Sequence, residues 1–285
     1  MMNPAVAGTR QILDARISYR NQWTGFDGAP KTMGASFHAK MYKNKMGIGG
    51  YVFQDKIGPF TTLTSALAYS FKVKFDDVAL SFGVNGNYNM QRVSTSYMTY
   101  QNSIDDAIIN MANTQKSNVF NGAGGLLLYN DRFHIGVSIN NLLGSTYKYD
   151  KKSSYKVGEM KTVSHYCFSV GYNYALNPDY VWENNLLAVI VPNIPILLDY
   201  YLRLHIKGGL IVGGGIRFGT AIVGQVGWTL KEYQISYSYD YATNHLRGPM
   251  GASHEIKLVY SHAQSHLGHH GLNKEFLKQK FQYIY

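Results

Sequence analysis

A single cysteine, Cys167, stands in 285 residues, so no intramolecular disulfide framework holds this chain together. Cys167 falls in a strand-like stretch, where a small buried side chain explains it better than a nucleophile does. Proline is scarce (7 residues) and charge is low, at 15% against the usual roughly 25%. Long apolar runs are also missing. The densest, Leu186 to Leu198, is broken by two prolines and an asparagine, whereas a membrane-crossing helix needs about 20 mostly apolar residues. The formal charge is +10, yet no basic run exceeds two residues, which excludes a nucleic-acid binder. No signal-peptide pattern precedes Asn3, so an exported form is expected to be a processed one.

Tyrosine (24) and glycine (29) fill the space that charge and proline leave. Aromatic residues suit strands, and glycine suits turns and close backbone approaches. The period is two almost throughout. Leu13, Ala15, Ile17 and Tyr19 alternate with Asp14, Arg16, Ser18 and Arg20. Val78, Leu80, Phe82 and Val84 oppose Ser81, Gly83 and Asn85, and Leu198, Tyr200, Leu202 and Leu204 oppose Asp199, Tyr201, Arg203 and His205. Such alternation marks strands with two chemically different sides. The polar side faces either bulk water or the interior of a closed barrel.

Strands are expected over about 11–22, 31–41, 46–54, 60–72, 77–92, 118–129, 132–141, 162–175, 180–191, 196–206, 208–217, 220–230, 232–242 and 252–261. An even count of short-turned strands is the habit of bacterial outer-membrane barrels, whose spanning strands need only about 9–11 residues. Short links at 43–45, 74–77, 130–131, 176–179 and 230–232 alternate with longer ones at 22–30, 93–117, 142–161 and 243–251. The expected fold is therefore all-β, one antiparallel transmembrane barrel of fourteen strands over 1–261. Residues 1–10 form a short periplasmic lead-in, 262–285 form a periplasmic tail, and the longer loops are extracellular. A soluble β-rich, lectin-like module is the competing architecture, and its Leu13, Ile17 and Tyr19 would have to face a second sheet. Ser103–Gln115 has helical spacing behind a serine cap.

Lipid-facing Arg or Lys costs roughly 2–4 kcal/mol at the bilayer midplane, so charges on the polar parity are expected in the lumen. These are Asp14, Arg16, Arg20, Asp199, Arg203, Lys207, Arg217, Asp240, Glu255 and Lys257. If the first strand closes on the last, Arg20, Asp240 and Glu255 converge in an Arg–carboxylate network near the extracellular rim. Either it is a structural lattice or it also holds a ligand. The hook Asn21–Pro30, with Trp23, Phe26 and Pro30, reads as the first extracellular turn, its aromatics serving as interface anchors, a loop core or a contact for a partner.

Catalysis, cofactors and metals find little support. His262, His266, His269 and His270 recur at three- and four-residue steps, but Gly268 and Gly271 oppose a rigid ligand-bearing helix. Gly213–Gly219 and Gly122–Gly125 lack the Lys-Ser/Thr of a phosphate loop. His245 and the adjacent His254–Glu255 are the nearest approach to catalytic groups, and neighbours on a strand point to opposite faces.

Several stretches carry more than pattern. YRNQWTGFDGAPKT (Tyr19 to Thr32), preceded by NPAVAG (Asn3 to Gly8), and then MGIGGYVFQDKIGPF (Met46 to Phe60), ISYSYDY (Ile235 to Tyr241) and GASHEIKLVY (Gly251 to Tyr260) resemble the PorP/SprF family of type IX secretion system membrane proteins. The resemblance runs from about residue 3 to 261, with Trp23, Gly25, Gly28, Pro30, Asp240, Gly251, His254 and Glu255 at its recognisable positions. It implies a non-enzymatic outer-membrane barrel of Gram-negative gliding bacteria. Its implied partners are a large cell-surface adhesin with a type B C-terminal domain and the periplasmic or lipoprotein components of the secretion and gliding machinery. The family defines no catalytic residues. A passive porin or small-solute transporter is the rival function that a barrel alone equally permits.

Overall fold

A computed structural model describes residues 2–9, 12–41, 45–94, 115–149, 159–244 and 251–262. Its strands are β1 (Leu13–Asn21), β2 (Lys31–Met41), β3 (Met46–Ile57), β4 (Phe60–Phe75), β5 (Val78–Val93), β6 (Gln115–Tyr129), β7 (Phe133–Asn140) and the two-residue β8 (Thr146–Tyr147) and β9 (Met160–Lys161). There follow β10 (His165–Asn177), β11 (Tyr180–Ile190), β12 (Leu197–Ile206), β13 (Leu210–Arg217), β14 (Ala221–Leu230), β15 (Tyr233–Ala242) and β16 (Ser253–His262). All but β8 and β9 form a closed antiparallel barrel of fourteen strands in chain order, with β1 beside both β2 and β16. β8 and β9 pair with each other in the loop after β7. The expected helix at Ser103–Gln115 falls outside the described residues apart from Gln115, which opens β6.

Alternation becomes geometry as expected. Ile17, Leu67, Val84, Phe120 and Ile222 are exposed on the outer face, Leu67 at 73%, while Asp14, Ser70 and Ser81 on the opposite parity are fully buried. An apolar exterior around a polar interior is what a strand needs in hydrocarbon, where every backbone N–H and C=O must be paired within the sheet. No helix among the described residues is long and apolar enough to cross a membrane.

One end of the barrel carries the tight turns, the start of β1 and the end of β16; the other carries the loops. At the tight-turn end, side chains build the corners. Asn130 Oδ1 accepts from the amides of Arg132 and Phe133, both at 2.8 Å, and Asn177 Oδ1 accepts from Asp179 and Tyr180 at 2.9 and 3.0 Å. These are Asx turns, in which the side chain replaces a backbone acceptor. Lys207, expected in the lumen, instead lies beyond β12 in one of these corners, 72% exposed and 2.8 Å from Asp179. Parity ceases to point inward once a strand has ended. The hydrogen bond that Lys207 donates to the Asp179 carboxylate raises its ammonium above the ordinary value.

The loop end is less regular than the lengths in sequence suggest. Beside the long 94–114 and 141–164 connections stand two short ones, Gly58–Pro59 between β3 and β4 and 218–220 between β13 and β14. Gly58 and Gly219 take positive φ there, which glycine adopts without steric cost.

Leu67 sits near the middle of β4 on the bare outer face. Leu67→Lys is expected to lower the unfolding free energy in lipid vesicles by roughly 2–4 kcal/mol, read from urea titration. Thr64→Lys, one face over and lumen-directed, should cost distinctly less.

Candidate functional site

The site is the lumen and its loop-end rim. β1 and β16 pair in register from Leu13↔His262 to Asn21↔His254, setting Arg20 opposite Glu255, while β15 sets Asp240 opposite Ser253. The Arg20 guanidinium thereby spans three strands, donating from Nη2 to Asp240 at 2.5 Å and from Nη1 to Glu255 at 2.9 Å. Arg217 stands 3.5 Å from Asp240 and 3.9 Å from Asp199, and its Nε donates to the Tyr201 hydroxyl at 3.0 Å. Lys257 reaches Glu255 at 3.0 Å. The expected Arg20, Asp240 and Glu255 thus meet, and Asp199, Arg217 and Lys257 join them.

Two further clusters lie lower. Asp14, fully buried, receives Arg16 Nε at 2.6 Å and Ser261 Oγ at 3.0 Å, with His38 Nε2 at 3.6 Å. Glu183, also buried, receives Arg203 at 2.9 Å and Asn185 at 2.7 Å and lies 2.6 Å from His205 Nε2. The Arg203 Nε donates to Gln225 at 2.7 Å. On this half of the wall Arg16, Arg20, Arg203, Arg217 and Lys257 match Asp14, Glu183, Asp199, Asp240 and Glu255 one for one. A charge-neutral lattice cross-braces the strands. Between its tiers lies a cavity of about 370 Å³, reached by Arg16, Arg20, Arg203, Arg217 and Lys257.

Glu183 and His38 belong to this lattice and were not singled out in the sequence. The parity Val181, Glu183, Asn185 was available, but the neighbouring Asn184 blurs it by facing out. Its side chain is engaged there, accepting from the Tyr200 hydroxyl at 2.9 Å.

The opposite half of the lumen is filled. From the loop end, the segment after β7 folds inward. Tyr147 and Tyr149 are buried with Val119, and the Tyr149 hydroxyl donates to Gln91. Leu143 N donates to Asn121 Oδ1 at 2.9 Å and Lys148 N to Ser117 Oγ at 2.8 Å. Burial raises the Tyr149 hydroxyl above its ordinary value. From the tight-turn end, residues 2–9 enter the lumen, where Asn3, Pro4, Ala5, Val6 and Ala7 are all buried. Residues 2–9 thereby contribute to the barrel's interior.

The hook is stitched to the seam. Trp23 N donates to Ser253 Oγ at 3.1 Å, Thr24 N to the Ala252 carbonyl at 2.9 Å, and Gly58 N to the Gly28 carbonyl at 2.9 Å. Trp23 takes φ 50°, Pro30 is buried and Phe26 stays exposed at the tip. A Cβ on Gly251 would lie 2.8 Å from Gly25 N, so the two loops touch backbone to backbone.

Of the weaker candidates, His254 and Glu255 face opposite sides, with His254 Nδ1 2.7 Å from the Tyr237 hydroxyl. His262 bonds Glu232 at 2.7 Å; His245, His266, His269 and His270 lie outside the described residues. Cys167 is buried in the wall.

Arg20→Met strips the buried Asp240 and the partly buried Glu255 of a shared partner, and breaking a buried ion pair costs about 3–5 kcal/mol. Arg217 and Lys257 remain beside them, so the loss in urea unfolding is expected at the lower end of that range. Adding Asp240→Asn alone to Arg20→Met should recover most of it, since one cation and one carboxylate are then removed together and Lys257 still faces Glu255.

No protein with a curated description matches the sequence significantly. Among solved structures, the toluene transporter TbuX of Ralstonia pickettii is similar at TM-score 0.50 and 11% identity, covering 90% of each chain. Omp33 of Acinetobacter baumannii is similar at TM-score 0.50 and 7% identity, covering 89% of this chain and 99% of its own. Both likenesses concern the fold, that of an outer-membrane β-barrel. Residues 1–260 match the family described as "Type IX secretion system membrane protein PorP/SprF". With nearly the whole barrel inside that match, the chain belongs to the PorP/SprF family of outer-membrane components of the type IX secretion system.

Proposed function

We propose that this barrel acts as a closed anchor that holds, and helps export, a large surface adhesin through the adhesin's type B C-terminal domain, and not as a passage for small solutes. The observation that carries the reading is the occupied lumen. Residues 2–9 fill one half from the tight-turn end, the segment bearing Tyr147 and Tyr149 fills it from the loop end, and the other half is crossed by paired charges. A porin leaves an aqueous channel through the middle. Here the exposed surfaces remain for partners.

In this reading the tight turns and the tail after β16 are periplasmic and the loops extracellular, following the usual arrangement of outer-membrane barrels. The hook, stitched to the start of β16 above the Arg20 network, is then a rigid part of the outer rim with Phe26 at its tip. Adhesin contact belongs there, while the turns face the periplasmic and lipoprotein components of the machinery. The reading assigns no catalysis and no cofactor.

Affinity purification of the tagged barrel from native membranes is expected to recover an adhesin, and Phe26→Asp with Trp23→Ala should reduce that recovery several-fold while the barrel stays folded. In planar bilayers the purified protein is expected to be electrically silent. A steady open pore, or a barrel that always purifies bare, would overturn the anchor.

A further inference from the structure

Across five adjacent strands, the inward positions of one hydrogen-bonded row are all small. Gly47 on β3 pairs with Ser70 on β4, Ser70 with Gly83 on β5, Gly83 with Gly125 on β6, and Gly125 with Ser138 on β7. The row forms a trough in the lumen wall, running across the strands, and residues 2–8 lie along it. A Cβ on Gly47 would come within 2.2 Å of the Ala7 carbonyl oxygen, one on Gly83 within 2.1 Å of Ala5 N, and one on Gly125 within 2.2 Å of Asn3 Oδ1. Side chains of any size are excluded from those three places as long as the segment is seated.

The trough also supplies donors at the right spacing. Ser138 Oγ and Asn140 Nδ2 donate to the Met2 carbonyl, both at 2.9 Å, Ser81 Oγ to that of Ala5 at 2.7 Å and Ser70 Oγ to that of Ala7 at 2.7 Å. Lys72 Nζ donates to the Gly8 carbonyl. In the other direction Asn3 Nδ2 donates to the wall carbonyls of Leu126 at 3.0 Å and Val137 at 3.2 Å, while its Oδ1 caps the turn by accepting from Ala5 N at 2.9 Å. The match in pitch is approximate. Asn3 sits on β6 and Ala5 on β5, two residues per strand. A 3-10 turn rises about 2.0 Å per residue, so two residues of Pro4–Val6, which forms that turn, advance about 4.0 Å, somewhat less than the roughly 4.8 Å between strands.

From this geometry we propose that the row Gly47–Ser70–Gly83–Gly125–Ser138 is a peptide-binding groove whose occupant is the chain's own Asn3–Gly8 segment, making residues 2–9 a seated plug of the barrel. The ligand class is a short peptide of the form Asn-Pro-small-small-small-Gly. Asn supplies the two bonds to wall carbonyls, Pro starts the turn, and small side chains clear the floor. Gly8 ends it at φ 61°, with a would-be Cβ 2.5 Å from the Ala39 carbonyl oxygen. The inference shares the seated segment 2–9 with the anchor reading, but thiol protection reports on the lumen and adhesin recovery on the rim, so the failure of one is distinguishable from the failure of the other.

Leu127 is the reporter, because it is buried under Ala5 and Val6 and donates no bond to the plug. In a Cys167→Ser background, Leu127→Cys is treated with a membrane-impermeant charged thiol reagent, in the full chain and in one lacking residues 2–9. The full chain is expected to react at least ten-fold more slowly. Adding the synthetic peptide Asn-Pro-Ala-Val-Ala-Gly to the shortened barrel should restore protection, and the same peptide with alanine for asparagine should protect at least ten-fold more weakly. Gly83→Val in the full-length chain fills the seat without removing the segment, and it should raise reactivity toward that of the shortened barrel. If the shortened chain does not fold, this variant decides alone. Equal reactivity with and without the segment, unchanged protection in Gly83→Val, or failure of the peptide to protect would each overturn the proposal.

Discussion

Closure of the sheet on itself is the constraint from which the rest of this protein follows. A strand in hydrocarbon cannot leave a backbone edge unpaired, because no water is present to satisfy it. The pairing of β1 with β16, from Leu13↔His262 to Asn21↔His254, removes the last edge. That pairing also sets Arg20 directly opposite Glu255 and within reach of Asp240. The guanidinium therefore lies across the closing seam itself, and the hook above it is laced to the residues that begin β16.

Behind the seam, the interior divides into two halves with different chemistry. Around β1 and β11–β16, opposite charges pair in tiers, with Asp14, Glu183 and Asp240 each buried among partners. Buried pairs contribute less to net stability than their number suggests, since desolvation offsets much of the attraction. What they do fix is which strands sit opposite which. Around β3–β7 the wall is mostly uncharged, with asparagines and one row of small residues, and backbone from elsewhere in the chain fills the space. The same closed sheet thus bears a lattice on one side and a seat on the other.

Much of this was legible in the chain. Alternation such as Val78, Leu80, Phe82, Val84 against Ser81, Gly83, Asn85 marked strands and assigned faces, because successive side chains on a strand must point to opposite sides. The inward set Asp14, Arg16, Arg20, Asp199, Arg203, Arg217, Asp240, Glu255 and Lys257 follows from that alternation once a lipid exterior is assumed. Lys207 broke the pattern because parity has no meaning past the last residue of β12. Loop lengths were a coarser guide, since Gly58–Pro59 and 218–220 turn at the loop end as tightly as any corner at the other. Nothing local in the chain joins Gly47, Gly83 and Gly125. Their common purpose depends on a row that joins residues far apart in the chain.

By itself the sequence determined the period of two, and with it the apolar exterior, the polar interior and the approximate strand count, because side-chain direction along a strand is a local property of the backbone. Its motifs also carried the family. The tertiary structure alone decided which inward residues meet. Arg20 with Asp240, Glu183 with Arg203 and His205, and Asn3 with the wall at Gly125 are separated in the chain and adjacent only through strand register. Register is set by pairing with neighbours and by closure of the whole sheet, and neither is a property of any one segment.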